Sequence, residues 1–133
     1  MANDDQRLLN CAILGDLPGC RALLADPPFQ GVNAVDTEHG GWTALHRAAF
    51  QGHADVCSAL LASERFTAHD AVTDVGRTVL HYAAACGHAA ACAALLASER
   101  FTAPDAVDEN GRTALHDAAG QGHAAVCAAL LAS

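Results

Sequence analysis

The sequence contains no lysine, and its charge is strongly acidic. All seven basic residues are arginines, against fifteen acidic residues, and the formal net charge of the 133-residue chain is −8 with histidines neutral. A nucleic-acid backbone or an anionic membrane surface is bound through clustered positive charge. The composition therefore argues against both as partners, and it is typical of a small protein kept in solution by its charge.

Long apolar runs are also missing. No apolar run exceeds the nine residues of Ala89–Ala97, whereas a helix that crosses a membrane needs about 20. The chain begins with an acidic stretch, Met1 to Asp5, instead of the basic and then apolar pattern of a secretory signal. The sequence thus predicts an intracellular, cytoplasmic protein.

Aromatic residues are scarce, at 5% of a chain that is 52% hydrophobic. The packing material must therefore be mostly alanine and leucine, and alanine favours helices that approach one another closely. A chain of 133 residues has the length of one domain.

Motifs of catalysis and metal binding are absent from the sequence. It contains no Cys-x-x-Cys, no His-Glu-x-x-His and no glycine-rich phosphate loop. Paired carboxylates such as Asp108 and Glu109 are expected to be exposed turn residues, without the cleft that acid–base catalysis needs. We therefore expect no enzyme activity, no metal, no cofactor and no small-molecule substrate.

The six cysteines could form a disulfide framework, but four of them recur at one place in the sequence. Cys20, Cys57, Cys92 and Cys127 each stand five residues after a glycine. Equivalent sites in stacked helices lie about 8–10 Å apart, whereas a disulfide needs Cα atoms within about 7 Å. We predict that these four are small buried side chains, reduced in the cytosol; for the remaining two cysteines the question stays open.

The sequence does contain a repeat. The segments that begin at Gly41, Gly76 and Gly111 share the pattern Gly-x-Thr-x-Leu-His-x-Ala-Ala-x-x-Gly-His, with a period of 35 residues. A fixed period of this size indicates a stacked array, in which each repeat buries its apolar face against its neighbours. Within residues 41–75, Thr43 is a helix cap, Gly52 is a helix terminator, and a second helix is predicted over roughly 54–62.

This pattern resembles the ankyrin repeat, and the resemblance covers nearly the whole chain. It implies an all-α ankyrin repeat solenoid of four helix-turn-helix repeats with β-turn fingers. A single domain over 1–133 would then comprise a degenerate N-terminal capping repeat, two full repeats and a truncated C-terminal repeat, over 1–40, 41–75, 76–110 and 111–133. The chain departs from the family pattern in its longer period and in the missing glycine after the second helix.

The resemblance also implies structural roles for the histidines. The histidine after the leucine would bond back to the threonine three residues before it, and the histidine after the second glycine would bridge adjacent repeats. The first kind is His46, His81 and His116, and the second is His53, His88 and His123.

Positions at which the repeats differ are free to carry recognition, because stacking fixes the shared ones. The resemblance places these positions in a concave groove lined by the fingers and first helices, and it implies a non-catalytic protein–protein interaction module with an unidentified protein partner. The candidate protein-binding residues are Trp42, Arg47, Phe50, Gln51, Asp74, Arg77, Tyr82, Glu109, Arg112 and Asp117. Aromatic residues and arginine commonly anchor interfaces; alternatively, Trp42 and Phe50 fill a wider gap beside the degenerate first repeat.

The last helix carries no polar replacement of its leucines. Leu130 and Leu131 stand at its end, and Val126 and Cys127 are expected to be partly exposed. The alternative function is therefore a structural or regulatory segment of a longer ankyrin array or multidomain protein, with no partner site of its own. A monomer is expected, with end-to-end association through this face as the alternative.

Overall fold

A computed structural model describes residues 4–132, with side chains from residue 6 onward. Within that range the chain forms eight α-helices in four pairs, a 3-10 turn and an isolated antiparallel bridge between Asp36 and Trp42. The helices and the turn are α1 (Asp4–Leu14), α2 (Leu17–Ala25), the 3-10 turn Thr37–His39, α3 (Ala44–Gln51), α4 (Ala54–Ala62), α5 (Val79–Ala85), α6 (Ala89–Ala97), α7 (Ala114–Gly120) and α8 (Ala124–Ala132).

The start and end of α3 follow from its threonine and glycine. The Thr43 side chain accepts a hydrogen bond from the His46 backbone, and the His46 ring accepts one from the Thr43 N–H at 3.1 Å. Gly52 ends the helix with φ +77°, which glycine adopts without steric cost. Thr78 and Thr113 cap α5 and α7 in the same way. The predicted helix bounds are confirmed in this repeat.

The helices form two rows. The first helix of each pair packs on the first helix of the next pair, and the second helices do the same. Leu45, Ala48 and Ala49 are fully buried between them. The structure confirms the predicted all-α solenoid, in which the core runs along the stack.

The loops after the second helices are held by an arginine and a phenylalanine. Phe29, Phe66 and Phe101 are buried. The Arg100 guanidinium donates to the carbonyls of Leu61 and Ser63 at 2.8 and 2.6 Å, and Arg65 binds the preceding loop in the same manner. These arginines satisfy the carbonyls at a helix end where the family pattern has a glycine.

The fingers are the tight turns at residues 36–41, 73–76 and 108–111, and they stack on one another. In the second finger, the Gly76 N–H donates to the Thr73 carbonyl at 2.9 Å. Between fingers, the Asp74 N–H donates to the Gly40 carbonyl at 2.9 Å and the Glu109 N–H to the Val75 carbonyl at 3.1 Å. The three fingers therefore form one continuous row.

All six cysteines are free thiols. Cys20, Cys57 and Cys92 are buried, and burial raises the pKa of the Cys57 thiol to about 12. Cys127 is half-buried and Cys86 is exposed. The prediction of buried, unpaired cysteines is thus confirmed for the first three.

The C-terminal face leaves apolar surface open. Leu131 is 72% exposed, and Cys127 and Leu130 are half-buried. The expectation that Val126 is partly exposed is wrong, because its side chain is buried in the position that Val56 and Ala91 occupy in earlier repeats. In the part of the chain described, no helix is long and apolar enough to cross a membrane.

Candidate protein-binding groove

The groove is the surface between the finger row and the exposed sides of the first helices. The fingers lie at the amino ends of these helices, and the Gly-His turns lie at their carboxyl ends. Since α3 has eight residues, the floor is about 12 Å wide at roughly 1.5 Å per residue.

An aromatic cluster lies on this floor. The Trp42 and Tyr82 rings are 4.2 Å apart between centroids, and Phe50 meets Trp42 edge-on at 5.4 Å. The cluster joins α3 to α5. The ring partners of Trp42 in this cluster therefore lie in its own repeat and the following one, and not in the first repeat. Phe50 remains 40% exposed. Edge-on and tilted aromatic pairs of this kind add stability beyond the area they bury, so the cluster is a fixed part of the floor.

Two arginines cover the aromatic faces. The Arg47 guanidinium lies 4.6 Å from the Trp42 ring centroid, and that of Arg77 lies 5.1 Å from the Tyr82 centroid. Arg47 also pairs with Asp36 at 3.3 Å. The Tyr82 hydroxyl is tied to the Thr73 hydroxyl at 2.9 Å. The aromatic cluster and the two arginines therefore form one mixed aromatic and basic patch through mutual contacts.

A buried ion-pair network continues the patch into the last repeat. Arg77 pairs with Asp108 at 2.8 Å and with Asp117 at 2.5 Å, and Arg112 reaches Asp117 at 3.2 Å. Asp117 is only 7% exposed. Its carboxylate is thus directed at two arginines, and without it Asp108 would be the one carboxylate left to pair with Arg77 in this network.

The expectation that Asp108 is an exposed turn residue is wrong. The side chain is 6% exposed, because its carboxylate accepts the backbone N–H groups of Asn110 and Arg112 as well as the Arg77 guanidinium. Burial alone would raise the pKa of Asp108, but these donors outweigh it and hold the pKa below its usual range. Glu109 beside it is exposed, as expected.

His81, Asp108 and Asp117 come close enough together to be tested as metal ligands. Their ligand atoms lie within 4.8 Å of one another. Arg77 already pairs with both carboxylates, and His81 Nε2 is bonded to the Arg112 carbonyl at 2.8 Å. A divalent cation would have to displace the guanidinium, so the arrangement is better described as an ion-pair network.

The histidines act as the resemblance implied. Nδ1 of His46 lies 2.9 Å from the Thr43 hydroxyl, and His88 Nε2 reaches across to the Phe50 carbonyl at 2.9 Å. Burial lowers the pKa of His46 to about 4, although the Arg77 and Ala71 backbone groups oppose the shift. A neutral imidazole is therefore part of the folded structure.

The remaining candidate residues divide by exposure. Trp42, Arg47, Arg77 and Tyr82 are half-buried, whereas the other four are exposed: Gln51, Asp74, Glu109 and Arg112. The groove thus presents half-buried ring edges on its floor and exposed polar side chains at its margins.

Two groove residues were missed in the sequence. Ile13 and Leu14, at the end of α1, are 37% and 76% exposed. They stand where Phe50 and Gln51 stand in the next repeat, and His53 Nε2 bonds the Ile13 carbonyl at 3.1 Å just as His88 bonds that of Phe50. We call Ile13, Leu14 and Phe50 the apolar stripe. The sequence did contain a signal for this equivalence, because Leu8 stands seven residues before Gly15 just as Leu45 stands seven residues before Gly52.

Comparison with protein families agrees with this architecture. Residues 64–133 match a family model described as ankyrin repeats (3 copies), and residues 8–61 match one described as ankyrin repeats (many copies). A comparison with curated proteins finds no match. Ankyrin repeats are generally non-catalytic modules of protein–protein interaction. With its helix pairs, fingers and threonine–histidine caps, the chain belongs to the ankyrin repeat family.

Proposed function

We propose that this protein is a non-catalytic binding module that holds a protein partner in the groove. The observation that supports the proposal most strongly is the aromatic cluster of Trp42, Phe50 and Tyr82, which is fixed by mutual ring contacts and remains open at Phe50. A rigid aromatic surface costs little conformational entropy when a partner binds, and such surfaces anchor many interfaces.

The binding residues proposed from the sequence keep this role in the proposal. Phe50 and Gln51 offer contact area at one edge of the groove, and Asp74, Glu109 and Arg112 offer polar contacts at the other. The half-buried residues hold these exposed side chains in place: Trp42, Arg47, Arg77 and Tyr82. The partner is a protein, bound in the cytoplasm by a monomer without cofactor.

A random peptide library selected against the full chain tests this proposal. Trp42 is the only tryptophan, so binding in the groove changes the tryptophan emission directly. We expect selected peptides to shift this emission and Phe50→Ser to weaken their binding. Leu131→Ser is the matched control, because Leu131 is an exposed apolar residue on a second helix. If binding is lost with Leu131→Ser and kept with Phe50→Ser, the groove is not the site.

A second candidate function is a segment of a longer ankyrin array. His46 and His81 each bond a backbone carbonyl of the following repeat through Nε2, whereas the equivalent His116 is exposed. The glycine before the second helix shows the same difference. A Cβ atom added at Gly87 would lie 2.6 Å from the His123 ring of the next repeat, whereas one added at Gly122 would have no neighbour within 4 Å. The C-terminal face thus has the form of a stacking surface.

Light scattering at two protein concentrations tests this second candidate. A mass near 13.6 kDa at both concentrations is the expected result for a monomer with an accessible groove. A mass that rises with concentration, and that returns to the monomer value with Leu131→Asp, would give the end face priority over the groove.

A further inference from the structure

We infer that the groove takes a cationic protein segment that also carries apolar side chains. This inference rests on the proposed function and adds the chemistry of the partner. It comes from the charge that remains on the groove after its internal ion pairs are formed.

The positive charges of the groove are already used within the protein. Arg47 is paired with Asp36, Arg77 is paired with Asp108 and Asp117, and Arg112 also reaches Asp117. Three arginines thus stand against three carboxylates. This part of the groove carries no net charge to offer an anionic partner.

The carboxylates that remain lie on the fingers. Glu38, Asp74 and Glu109 are exposed, and none of them takes part in the ion pairs found within the described residues. Each belongs to a different finger, and the fingers are joined by the backbone hydrogen bonds of Asp74 and Glu109. The finger row therefore holds an unpaired negative charge on each finger along one edge of the groove.

Two further arginines are fixed in the loops that follow the second helices. Arg65 Nη1 donates to the Asp26 carbonyl at 2.8 Å, and Arg100 Nη1 donates to the Leu61 carbonyl at 2.8 Å. Their geometry is set by these backbone contacts. Neither belongs to a finger, so the acidic character of the finger row is not balanced from within it.

At the opposite edge of the groove, the first two repeats expose apolar side chains beside Gln51. The apolar stripe of Ile13, Leu14 and Phe50 lies at the carboxyl ends of α1 and α3, about 12 Å from the fingers across a helix of this length. A segment lying across the first helices would place apolar side chains on the stripe and basic side chains on the finger row. Nucleic acids and anionic membranes would be repelled by the same carboxylates.

Charge-neutral variants of the full chain test the inference. Glu38→Gln, Asp74→Asn and Glu109→Gln are combined, and binding of library-selected groove peptides is measured by Trp42 emission. Each exposed ion pair contributes modestly, so we expect affinity to fall roughly tenfold for the triple variant. The matched control combines Glu64→Gln, Glu99→Gln and Asp105→Asn, exposed residues outside the fingers, and should leave affinity within about twofold.

The composition of the selected peptides provides a second test of the inference. Selected peptides should carry net positive charge, and replacing their lysines and arginines with glutamine should weaken binding, as should added salt. The inference is overturned if groove-binding peptides are neutral or acidic, or if the finger variant binds as the parent does. Peptides that shift Trp42 emission without these charge effects would leave the proposed function standing, whereas the absence of any such peptide would remove both.

Discussion

At the scale of single residues, the most informative groups are polar side chains that the fold buries. His46 is fully buried with its ring bonded to Thr43 and to the Arg77 carbonyl. Burial outweighs these bonds and lowers the pKa of His46 to about 4, against about 6.5 in an unfolded chain. The folded state therefore binds a proton less readily than the unfolded state.

The sign of the pH dependence follows from this shift. As pH falls from about 6.5 to about 4, the unfolded chain takes up a proton at His46 that the folded chain does not, so the free energy of unfolding decreases in that window. At about 1.4 kcal/mol per pKa unit, lowering the pKa from about 6.5 to about 4 corresponds to a loss on the order of 3 kcal/mol. NMR titration should show His46 neutral at pH 5.5; a midpoint near 6.5 would contradict the buried environment.

Thiol reactivity provides a second test at this scale. We expect a thiol reagent to modify Cys86 first in the folded protein, because it is exposed while Cys20, Cys57 and Cys92 are buried. Burial raises the pKa of Cys92 to about 11, which keeps its thiolate population very small at neutral pH. Mass spectrometry with fragmentation of the tryptic peptides after brief labelling measures the order, because Cys86 and Cys92 lie in one peptide between Arg77 and Arg100. Cys86→Ser should abolish the fastest phase. Early modification of Cys57 would show that the stack opens.

At the scale of elements, the junction between neighbouring repeats depends on glycine meeting histidine. Gly87 and Gly122 have φ of +74° and +76°, but a Cβ would strike the His123 ring only at Gly87. Gly122→Ala should cost about 1–2 kcal/mol for the backbone conformation alone. Gly87→Ala should cost more, since the His123 bond to the Ala85 carbonyl is lost as well. Urea unfolding compares the two, and equal losses would contradict the contact.

A separate prediction concerns the arginines in the loops after the second helices. Arg100→Lys should destabilise the protein, by about 1–3 kcal/mol, because one ammonium cannot reproduce the forked contacts to the Leu61, Ser63 and Phe66 carbonyls. Arg21→Lys is the control, since Arg21 is exposed on α2. Denaturant midpoints measure both, and an unchanged midpoint for the Arg100 variant would show that these bonds add little.

The helices could be predicted from the sequence because their signals are local. Thr43 and Gly52 mark the two ends of α3, and the period carries the same pattern to the later repeats. The groove could be predicted only in part. Arg77 and Asp117 are 40 residues apart in the chain, and no local sequence pattern indicates that they form an ion pair. Ile13 and Leu14 were missed because the first repeat has lost most of the shared residues around them.

At the scale of the whole molecule, one stack carries two distinct surfaces. The apolar stripe and the finger row lie along opposite edges of the first helices, and the second helices form the opposite side of the array. The arginines of the groove are paired with carboxylates inside the protein. The groove therefore presents the unpaired carboxylates of the finger row together with the aromatic cluster. This combination distinguishes the groove from the alanine-rich second-helix side.

The most direct test of binding in the groove is an NMR chemical-shift map of the full chain with a library-selected peptide. We predict that shifted amides cluster on α3, α5 and the fingers, with Ile13 and Leu14 among them, and that the indole N–H of Trp42 is strongly shifted. Shifts concentrated on α4 and α6, or on α8 around Leu131, would contradict it and would place the binding surface elsewhere on the stack.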